Sequence, residues 1–133
     1  MILVDSDVLI WVMRGETRAS DFLDALPGIA LSAVNYIELV QGMRNRSELK
    51  ALRDFIRSWG SEYYPITEPI TARAVKLVER YFLSHHLQLA DALIAATALE
   101  HKLALATGNA KHFKMISGLK IKSFSLSGSS SME

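Results

Sequence analysis

Short apolar runs recur along the chain, and each is followed by polar residues and a segment of helical length. The runs cover residues 2–4, 29–33 and 103–106, with further strand patterns at 62–66 and 119–124. Continuous apolar runs of this length are typical of strands buried on both faces of a parallel sheet. The alternation predicts an α/β fold: a mainly parallel central sheet with helices on both faces.

The segments between these runs have the apolar spacing of helices. Helices are predicted over residues 8–14, 18–26, 35–42, 47–59, 69–84 and 88–100, with a short one over 109–115. The helix over 88–100 is rich in alanine and apolar over most of its circumference, which predicts a central, closely packed position. Asn35 is predicted to be the N-cap of its helix, with Glu38 three residues later at the spacing of a capping box.

Composition limits the classes of protein that the chain can belong to. Its 133 residues, 50% of them hydrophobic, are enough for one domain, placed here at 1–124, and the serine-rich end at 125–133 is predicted to be disordered. Fifteen Lys and Arg against fourteen Asp and Glu give a charge of +1, which neither requires nor excludes a nucleic-acid partner. The absence of cysteine excludes disulfides and thiolate chemistry, and with no apolar stretch of membrane length we expect a soluble, cytoplasmic protein.

Four polar residues stand where a strand-like or helical run meets a helix start: Asp5, Glu38, Asp91 and Asn109. In parallel sheets, ligands bind beyond the carboxyl ends of the strands, where Asp5 and Asn109 are predicted to lie. Segments far apart in sequence could therefore bring oxygen ligands to one end of one sheet. That arrangement predicts a divalent metal site suited to phosphate chemistry.

Each of these residues also has a local structural explanation. Asp5 or Asp7 could cap the helix that follows, Asp91 falls in a first helical turn, and Asn109 follows Gly108 as a turn residue. Against this, Asp91 stands among apolar residues, where a carboxylate is costly without a cation or donors. If three carboxylates converge within about 5 Å, each pair repels by roughly 3 kcal/mol at an effective dielectric near 20. Bound Mg²⁺ or Mn²⁺ relieves that repulsion.

Four blocks of sequence together resemble a known family: VDSDVLI, SAVNYIELVQGMR, LQLADALIAATAL and LALATGNAKHF. In this order they are similar to the PIN domain and, within it, to the VapC-type ribonuclease toxins of bacterial toxin–antitoxin systems. The resemblance covers residues 1–124 and implies a three-layer α/β sandwich. It also implies that Asp5, Glu38 and Asp91 bind Mg²⁺ or Mn²⁺, and that a metal-activated water hydrolyses RNA to leave a 3′-hydroxyl and a 5′-phosphate.

Asn109 departs from the family pattern, which often has a fourth acidic residue near this position. The departure leaves the number of metal ions, one or two, open, while the Asn109 amide oxygen could still hold a metal-bound water or orient substrate. The resemblance further implies a homodimer and a small cognate antitoxin that lies over the active-site groove. We expect its contacts on the apolar faces of the helices after Asp5 and Asn35.

Other polar residues have candidate supporting roles. Ser6 and Thr107 could orient the carboxylates by hydrogen bonds, although such hydroxyls more often make local turn bonds. Asp7 is either a helix cap or an acid beside the metal ligands. Four basic residues could form a rim for RNA phosphates or simply a solvated helix face: Arg44, Arg46, Lys50 and Arg53. His112 is predicted to have a packing or surface role.

Two other functions remain open from the sequence. The Asp5–Ser6–Asp7–Val8 segment also resembles the start of haloacid dehalogenase-like phosphatases, in which the first Asp is a nucleophile and the second a general acid. The later paired acids of those enzymes are absent, and Glu38 would have no role. A PIN-like domain that binds RNA or protein without cleavage is the other alternative, supported in the sequence by Asn109 alone.

Overall fold

The computed structural model describes residues 1–126 and the backbone of Ser131–Met132. Its strands are β1 (Ile2–Val4), β2 (Ile29–Ser32), β3 (Glu62–Tyr64), β4 (Ala104–Thr107), β5 (Ile121–Ser123) and β6 (Ser131–Met132). Its helices are α1 (Ser6–Met13), α2 (Thr17–Asp24), α3 (Ala33–Gln41), α4 (Arg46–Trp59), α5 (Glu68–His85) and α6 (Leu89–Glu100), and a 3₁₀ turn covers Ala110–His112.

The described strands form one sheet in the order β3-β2-β1-β4-β5-β6. Strands β1 to β5 pair in parallel, and β6 pairs antiparallel with β5. Pairs of helices connect β1 to β2, β2 to β3 and β3 to β4. The chain therefore runs from β1 through β2 to β3 at one edge of the sheet, and it then crosses back so that β4 pairs with the other side of β1. The predicted mainly parallel sheet is confirmed.

Alternate strand residues point into two separate cores, one on each face of the sheet. Leu3 and Leu105 pack with α5 and α6, whereas Val4 and Ala106 pack with the helices α1 to α4. This period of two is what a sheet covered on both faces requires. The predicted three-layer sandwich is confirmed, and α6 is central, as predicted, with Ile94 fully buried.

Two predicted helix boundaries are wrong. Helix α3 begins after Ser32, whose hydroxyl accepts the Asn35 N–H at 3.0 Å, while the Asn35 side chain accepts the Ser32 N–H at 3.3 Å. Asn35 is therefore the third residue of a capping box and not the N-cap, because a hydroxyl three residues earlier already satisfies the free N–H groups. The helix predicted over 109–115 is only the 3₁₀ turn Ala110–His112.

No helix in the described part of the chain combines the length and the apolar character needed to cross a bilayer. The predicted disordered end at 125–133 lies largely outside the described residues, apart from 125, 126 and the Ser131–Met132 strand, and it stays a prediction.

Candidate functional site

The candidate site lies at the carboxyl ends of β1 and β4, which are the two central strands of the sheet. The connections leave these strands towards opposite edges, so a crevice opens between them, as at other sites where the strand order reverses. The first residue after β1 is fixed there, because the Asp5 N–H donates to the Ala106 carbonyl at 2.8 Å. The end of β1 and the end of β4 thus form one rigid floor.

Asp5 is the most deeply buried of the candidate acids, at 7% exposure. One carboxylate oxygen accepts the Ser6 N–H at 2.8 Å and the Asn35 amide at 3.4 Å, and the other accepts the Thr107 hydroxyl at 2.7 Å. Burial, and next the charge of Asp7, raise the pKa of the Asp5 carboxyl to about 7, although its hydrogen bonds oppose the shift. Asp5 is therefore a helix cap, and its ionised carboxylate is also an unfavourable buried charge that a cation would stabilise.

Glu38 reaches the same crevice from the second turn of α3. The Ser6 hydroxyl donates to Glu38 Oε1 at 2.7 Å, and the Asn35 amide donates to Ser6 Oγ at 3.1 Å. Asn35 is fully buried, and its own oxygen is held by the Ser32 hydroxyl at 2.7 Å. Glu38 is outside the capping box of α3, so its carboxylate is left for the crevice.

Asp7 ties the start of α1 to the loop after β4. Its Oδ2 accepts the Gly108 N–H and the Asn109 side-chain amide, both at 3.0 Å. A Cβ on Gly108 would lie 2.6 Å from this oxygen and 2.7 Å from the Trp11 ring, so only glycine permits the approach. Asp7 is not the N-cap of α1, because Asp5 has that position. Burial raises the pKa of Asp7, the Gly108 and Val8 N–H groups oppose the shift, and the charge of Asp91 adds to it.

Asn109 acts in the structure as a hydrogen-bond donor to an acid. Its side-chain amide is committed to Asp7, and its backbone N–H donates to the Thr107 hydroxyl at 2.9 Å. The residue is exposed at the start of the 3₁₀ turn. The predicted roles of its amide oxygen, holding a water or orienting substrate, stay predictions.

Asp91 stands in the first turn of α6 and forms the open side of the crevice. Its side chain is 27% exposed, and Nδ1 of His112 lies 3.4 Å from its Oδ2. Burial raises the pKa of Asp91, and the nearby His112 opposes the shift. The predicted packing or surface role of His112 is incomplete, because this half-exposed imidazole also faces a candidate metal ligand.

The predicted ligands do not form a closed metal cage. Within the described residues, no three His, Asp or Glu side chains form a group ready to hold a metal ion. The donor set nevertheless fits a hard cation, because the charges of Asp7 and Asp91 both act on Asp5 and are unfavourable without a counter-ion. Mg²⁺ usually keeps several waters and takes only one or two carboxylates, so an open set of acids suits it.

The four basic residues predicted to contact RNA are all exposed on or beside α4: Arg44, Arg46, Lys50 and Arg53. Arg44 pairs with Glu48 at 2.6 Å, and Lys50 lies 3.4 Å from Asp54. These pairs reduce the positive charge that Arg44 and Lys50 offer to a phosphate. An RNA-binding role for the four stays a prediction.

The sequence interpretation missed three residues of the crevice, namely Asn35, Gly108 and His112. The Ser32-x-x-Asn35 spacing carried a signal for a capping box, but nothing in it showed that the Asn35 amide would reach Asp5. Gly108 stands directly before Asn109, which marked a turn but not a close approach of backbone to carboxylate. The contact of His112 depends on how the 3₁₀ turn packs against α6, so spacing alone does not reveal it.

Comparison with known proteins agrees with this architecture. The family model described as "PIN domain" matches residues 2–119. Ribonuclease VapC10 of Mycobacterium tuberculosis is 43% identical to this chain over 124 residues, which cover 90% of this chain and 91% of that protein.

Two solved structures resemble the fold. A toxin–antitoxin complex from Klebsiella pneumoniae matches with a TM-score of 0.73 and 29% identity, covering 90% of this chain and 95% of that chain. VapBC2 from Rickettsia felis, bound to a DNA fragment from its promoter, matches with a TM-score of 0.80 and 21% identity, covering 94% and 100%. The second similarity concerns the fold alone. The family match and the 43% identical relative together show that this chain belongs to the PIN domain family and, within it, to the VapC ribonucleases.

Proposed function

We propose that the chain is a divalent-metal-dependent endoribonuclease that hydrolyses RNA phosphodiester bonds as the toxin of a toxin–antitoxin pair. The observation that carries the proposal is the gathering of acids at the crevice between β1 and β4. Asp5, Asp7 and Asp91 act on one another electrostatically there, and Glu38 joins them through Ser6. The family membership gives no support to the phosphatase alternative.

Mg²⁺ or Mn²⁺ is the proposed cofactor, with Asp5, Glu38 and Asp91 as its direct or water-mediated ligands. When bound, such an ion lowers the pKa of a coordinated water and neutralises charge that develops on the phosphate. The oxygen donors of this crevice suit both ions, and nothing in their chemistry separates the two.

The chain's own residues hold the three carboxylates in different ways. Thr107 and the Ser6 N–H fix the Asp5 carboxylate, and the Ser6 hydroxyl fixes that of Glu38. Asp91 is more open to solvent, which suits it to orient the attacking water as well as to bind metal.

Cleavage of a mixed cellular RNA pool by purified, partner-free protein tests this function. We expect wild-type protein to cut RNA with Mg²⁺ or Mn²⁺ and not with EDTA, and we expect Asp5→Asn and Asp91→Asn to abolish cutting. Asp21→Asn is the matched control, because Asp21 is an exposed acid on α2 and lies outside the crevice. End mapping should find 5′-phosphates on the products.

RNA that stays intact but is still bound by wild-type protein would favour the non-cleaving alternative. Cutting that survives both substitutions would place the active site elsewhere. Equal loss in the Asp21→Asn control would show that net charge, rather than the crevice, governs activity.

The basic residues of α4 are proposed to contact RNA phosphates outside the crevice. Arg46 and Arg53 are the better candidates, because Arg44 and Lys50 pair with the α4 acids Glu48 and Asp54. Replacing Arg53 with Gln should weaken RNA binding evenly across sequences and reduce the slope of log affinity against log salt by about 1.

The antitoxin is proposed to bind the face formed by α1, the end of α3 and α4. These helices enclose a groove of about 290 Å³ whose lining is largely apolar and also contains two basic residues and one acid: Ile10, Met13, Met43, Phe55, Arg14, Arg44 and Glu48. The sequence analysis predicted antitoxin contacts on the apolar faces of two of these helices, α1 and α3. Phe55→Glu should prevent copurification of the cognate antitoxin and leave RNA cleavage intact. Ser47→Glu, an exposed control in the first turn of α4, should change neither.

A homodimer is part of the same proposal, and so is a cytoplasmic location, where RNA is available. Leu83 and Leu89, near the turn between α5 and α6, are 91% and 72% exposed, which is unusual for large apolar side chains with no cover. Light scattering after gel filtration should give twice the mass of the chain, and Leu83→Glu combined with Leu89→Glu should give the monomer mass.

A further inference from the structure

We propose that Asp7 supplies a carboxylate charge to the metal centre and that Asn109 is the neutral donor that holds it in place. The inference rests on the proposed function and deepens it. It exchanges the roles that the sequence predicted for the two residues, since Asn109 was the candidate catalytic residue and Asp7 only a supporting one.

Asp7 lies beside Asp5, one of the proposed metal ligands. It lies two residues after Asp5 at the start of α1. The Thr107 hydroxyl that donates to Asp5 Oδ2 also accepts the Asn109 N–H, and the Asn109 amide donates to Asp7 Oδ2, so a series of hydrogen bonds links the two carboxylates. The charge of Asp7 also acts on Asp5. The charge of Asp91 also acts on Asp7. Asp7 therefore belongs to the same electrostatic group as the proposed ligands, although the sequence also allowed it to be a helix cap.

The Asp7 carboxylate is fixed by donors from a distant segment of the chain. Two donors from the loop after β4 converge on one oxygen, Asp7 Oδ2: the Gly108 N–H and the Asn109 amide. These donors are 101 and 102 residues away in sequence, so the fold and not a local turn creates the arrangement. Neutral donors fix a carboxylate without cancelling its charge, which remains available to a cation.

The contact between Asp7 and the loop after β4 requires glycine at position 108. Gly108 leaves no room for a Cβ beside Asp7 Oδ2 and the Trp11 ring. A helix cap needs only the N–H groups of its own helix. Asp7 instead forms its longest-range contacts with the strand end that also carries Thr107, the hydroxyl donor to Asp5.

Binding of Mn²⁺ alone, measured by calorimetry on the full chain without RNA, tests the inference. We expect Asp7→Asn to weaken Mn²⁺ binding by roughly 10-fold or more, the range found when groups around a metal site are removed. Asn109→Ala should weaken it less, because the Gly108 N–H still holds Asp7. Asp21→Asn should bind as wild type, which controls for net charge.

A double variant separates charge from folding. Asp7→Asn combined with Asn109→Asp moves the carboxylate from one side of the contact to the other and should recover most of the lost Mn²⁺ affinity. Mn²⁺ affinity equal to wild type in Asp7→Asn would overturn the inference. Weak binding that the double variant does not recover would also overturn it, because the role of Asp7 would then be structural.

Binding of Mn²⁺ by the Asp5→Asn variant tests the proposed function separately. If Asp5→Asn binds Mn²⁺ as wild type does, the metal centre itself is misplaced and the proposed function fails. If Asp5→Asn loses binding and Asp7→Asn does not, only the inference about Asp7 fails.

Discussion

The two sides of the crevice are built differently. On the side of β1 and β4, Asp5 is 7% exposed and its carboxylate accepts hydrogen bonds from a backbone N–H, an amide and a hydroxyl. On the side of α6, Asp91 is 27% exposed, and the described contact of its carboxylate is His112 at 3.4 Å. One side is a fixed floor, and the other is open to solvent.

This difference indicates that the two carboxylates have different roles. A buried, hydrogen-bonded carboxylate keeps its position whether or not a cation is present, at a cost in stability whenever it is charged. A partly exposed carboxylate costs less and can adjust when water, cation and phosphate arrive. We therefore expect the closed side to define where a cation binds and the open side to admit substrate.

The largest effect expected on the closed side is a dependence of stability on pH in metal-free protein. The pKa of Asp5 is about 7 in the folded chain against an ordinary 3.8, so between these values the folded state binds more protons than the unfolded state. Stability therefore falls as pH rises, and linkage gives a loss of about 2–3 kcal/mol from pH 5 to pH 8. Urea unfolding in EDTA at the two pH values measures it.

Asp5→Asn is the control for this titration, since an amide does not ionise. Its unfolding free energy should change much less between the same two pH values, and added Mg²⁺ should restore wild-type stability mainly at the higher pH. A wild-type protein that gains stability as pH rises would contradict this account of the closed side.

Gly108→Ala adds one methyl group to the crevice, and we expect this substitution to destabilise the fold more than any other single added methyl group there. The added Cβ would overlap Asp7 Oδ2 and the Trp11 ring, and overpacking of this kind costs about 1–3 kcal/mol. Chemical unfolding measures the loss. Gly42→Ala is the matched control, because its nearest atom would be 3.4 Å away. Equal effects of the two substitutions would show that the contact between Asp7 and the loop is not tight.

Thr107→Val should cost less and depend on pH. The substitution keeps the shape of a fully buried side chain but leaves an Asp5 oxygen without its donor, a loss of about 1–2 kcal/mol that should shrink near pH 5, where Asp5 is protonated. Thr97→Val is the control, because this equally buried hydroxyl donates to the Leu93 carbonyl of its own helix. If Thr107→Val lost the same unfolding free energy at pH 5 and at pH 8, the Thr107 hydroxyl would not be stabilising the charge of Asp5.

His112 should give the smallest effect, because it acts on the open side. We expect His112→Ala to lower the rate of RNA cleavage by up to about 10-fold with little change in stability. His112→Asn, whose amide can replace Nδ1 beside Asp91, should recover much of the rate, and His101→Ala should be neutral because His101 stacks on Tyr64 instead. A His112→Ala variant with wild-type activity would show that the contact with Asp91 is incidental.

The sequence predicted most of the fold because its strands and helices have strong periods. The run at 2–4 and the alanine-rich helix at 88–100 match β1 and α6 to within a residue. The parallel direction of β1 to β4 follows from the helices between these strands. The start of α3 was wrong because Ser32 and Asn35 both suit an N-cap, and only the position of the β2 end decides between them.

The site was less predictable because its contacts join distant segments. The order of strands and helices allowed Asp5, Glu38 and Asp91 to converge at one end of a parallel sheet, and the family resemblance assigned them to one site. Neither indicated that Asn109 donates to Asp7 or that His112 faces Asp91, because both contacts depend on the path of the loop after β4.

The most direct test of a metal centre in this crevice is an anomalous difference map from crystals of the protein grown with Mn²⁺. We predict a peak at the carboxyl ends of β1 and β4, in contact with Asp5 and within reach of Asp7, Glu38 and Asp91. No peak in the crevice at saturating Mn²⁺, or a peak held by residues elsewhere, would contradict it.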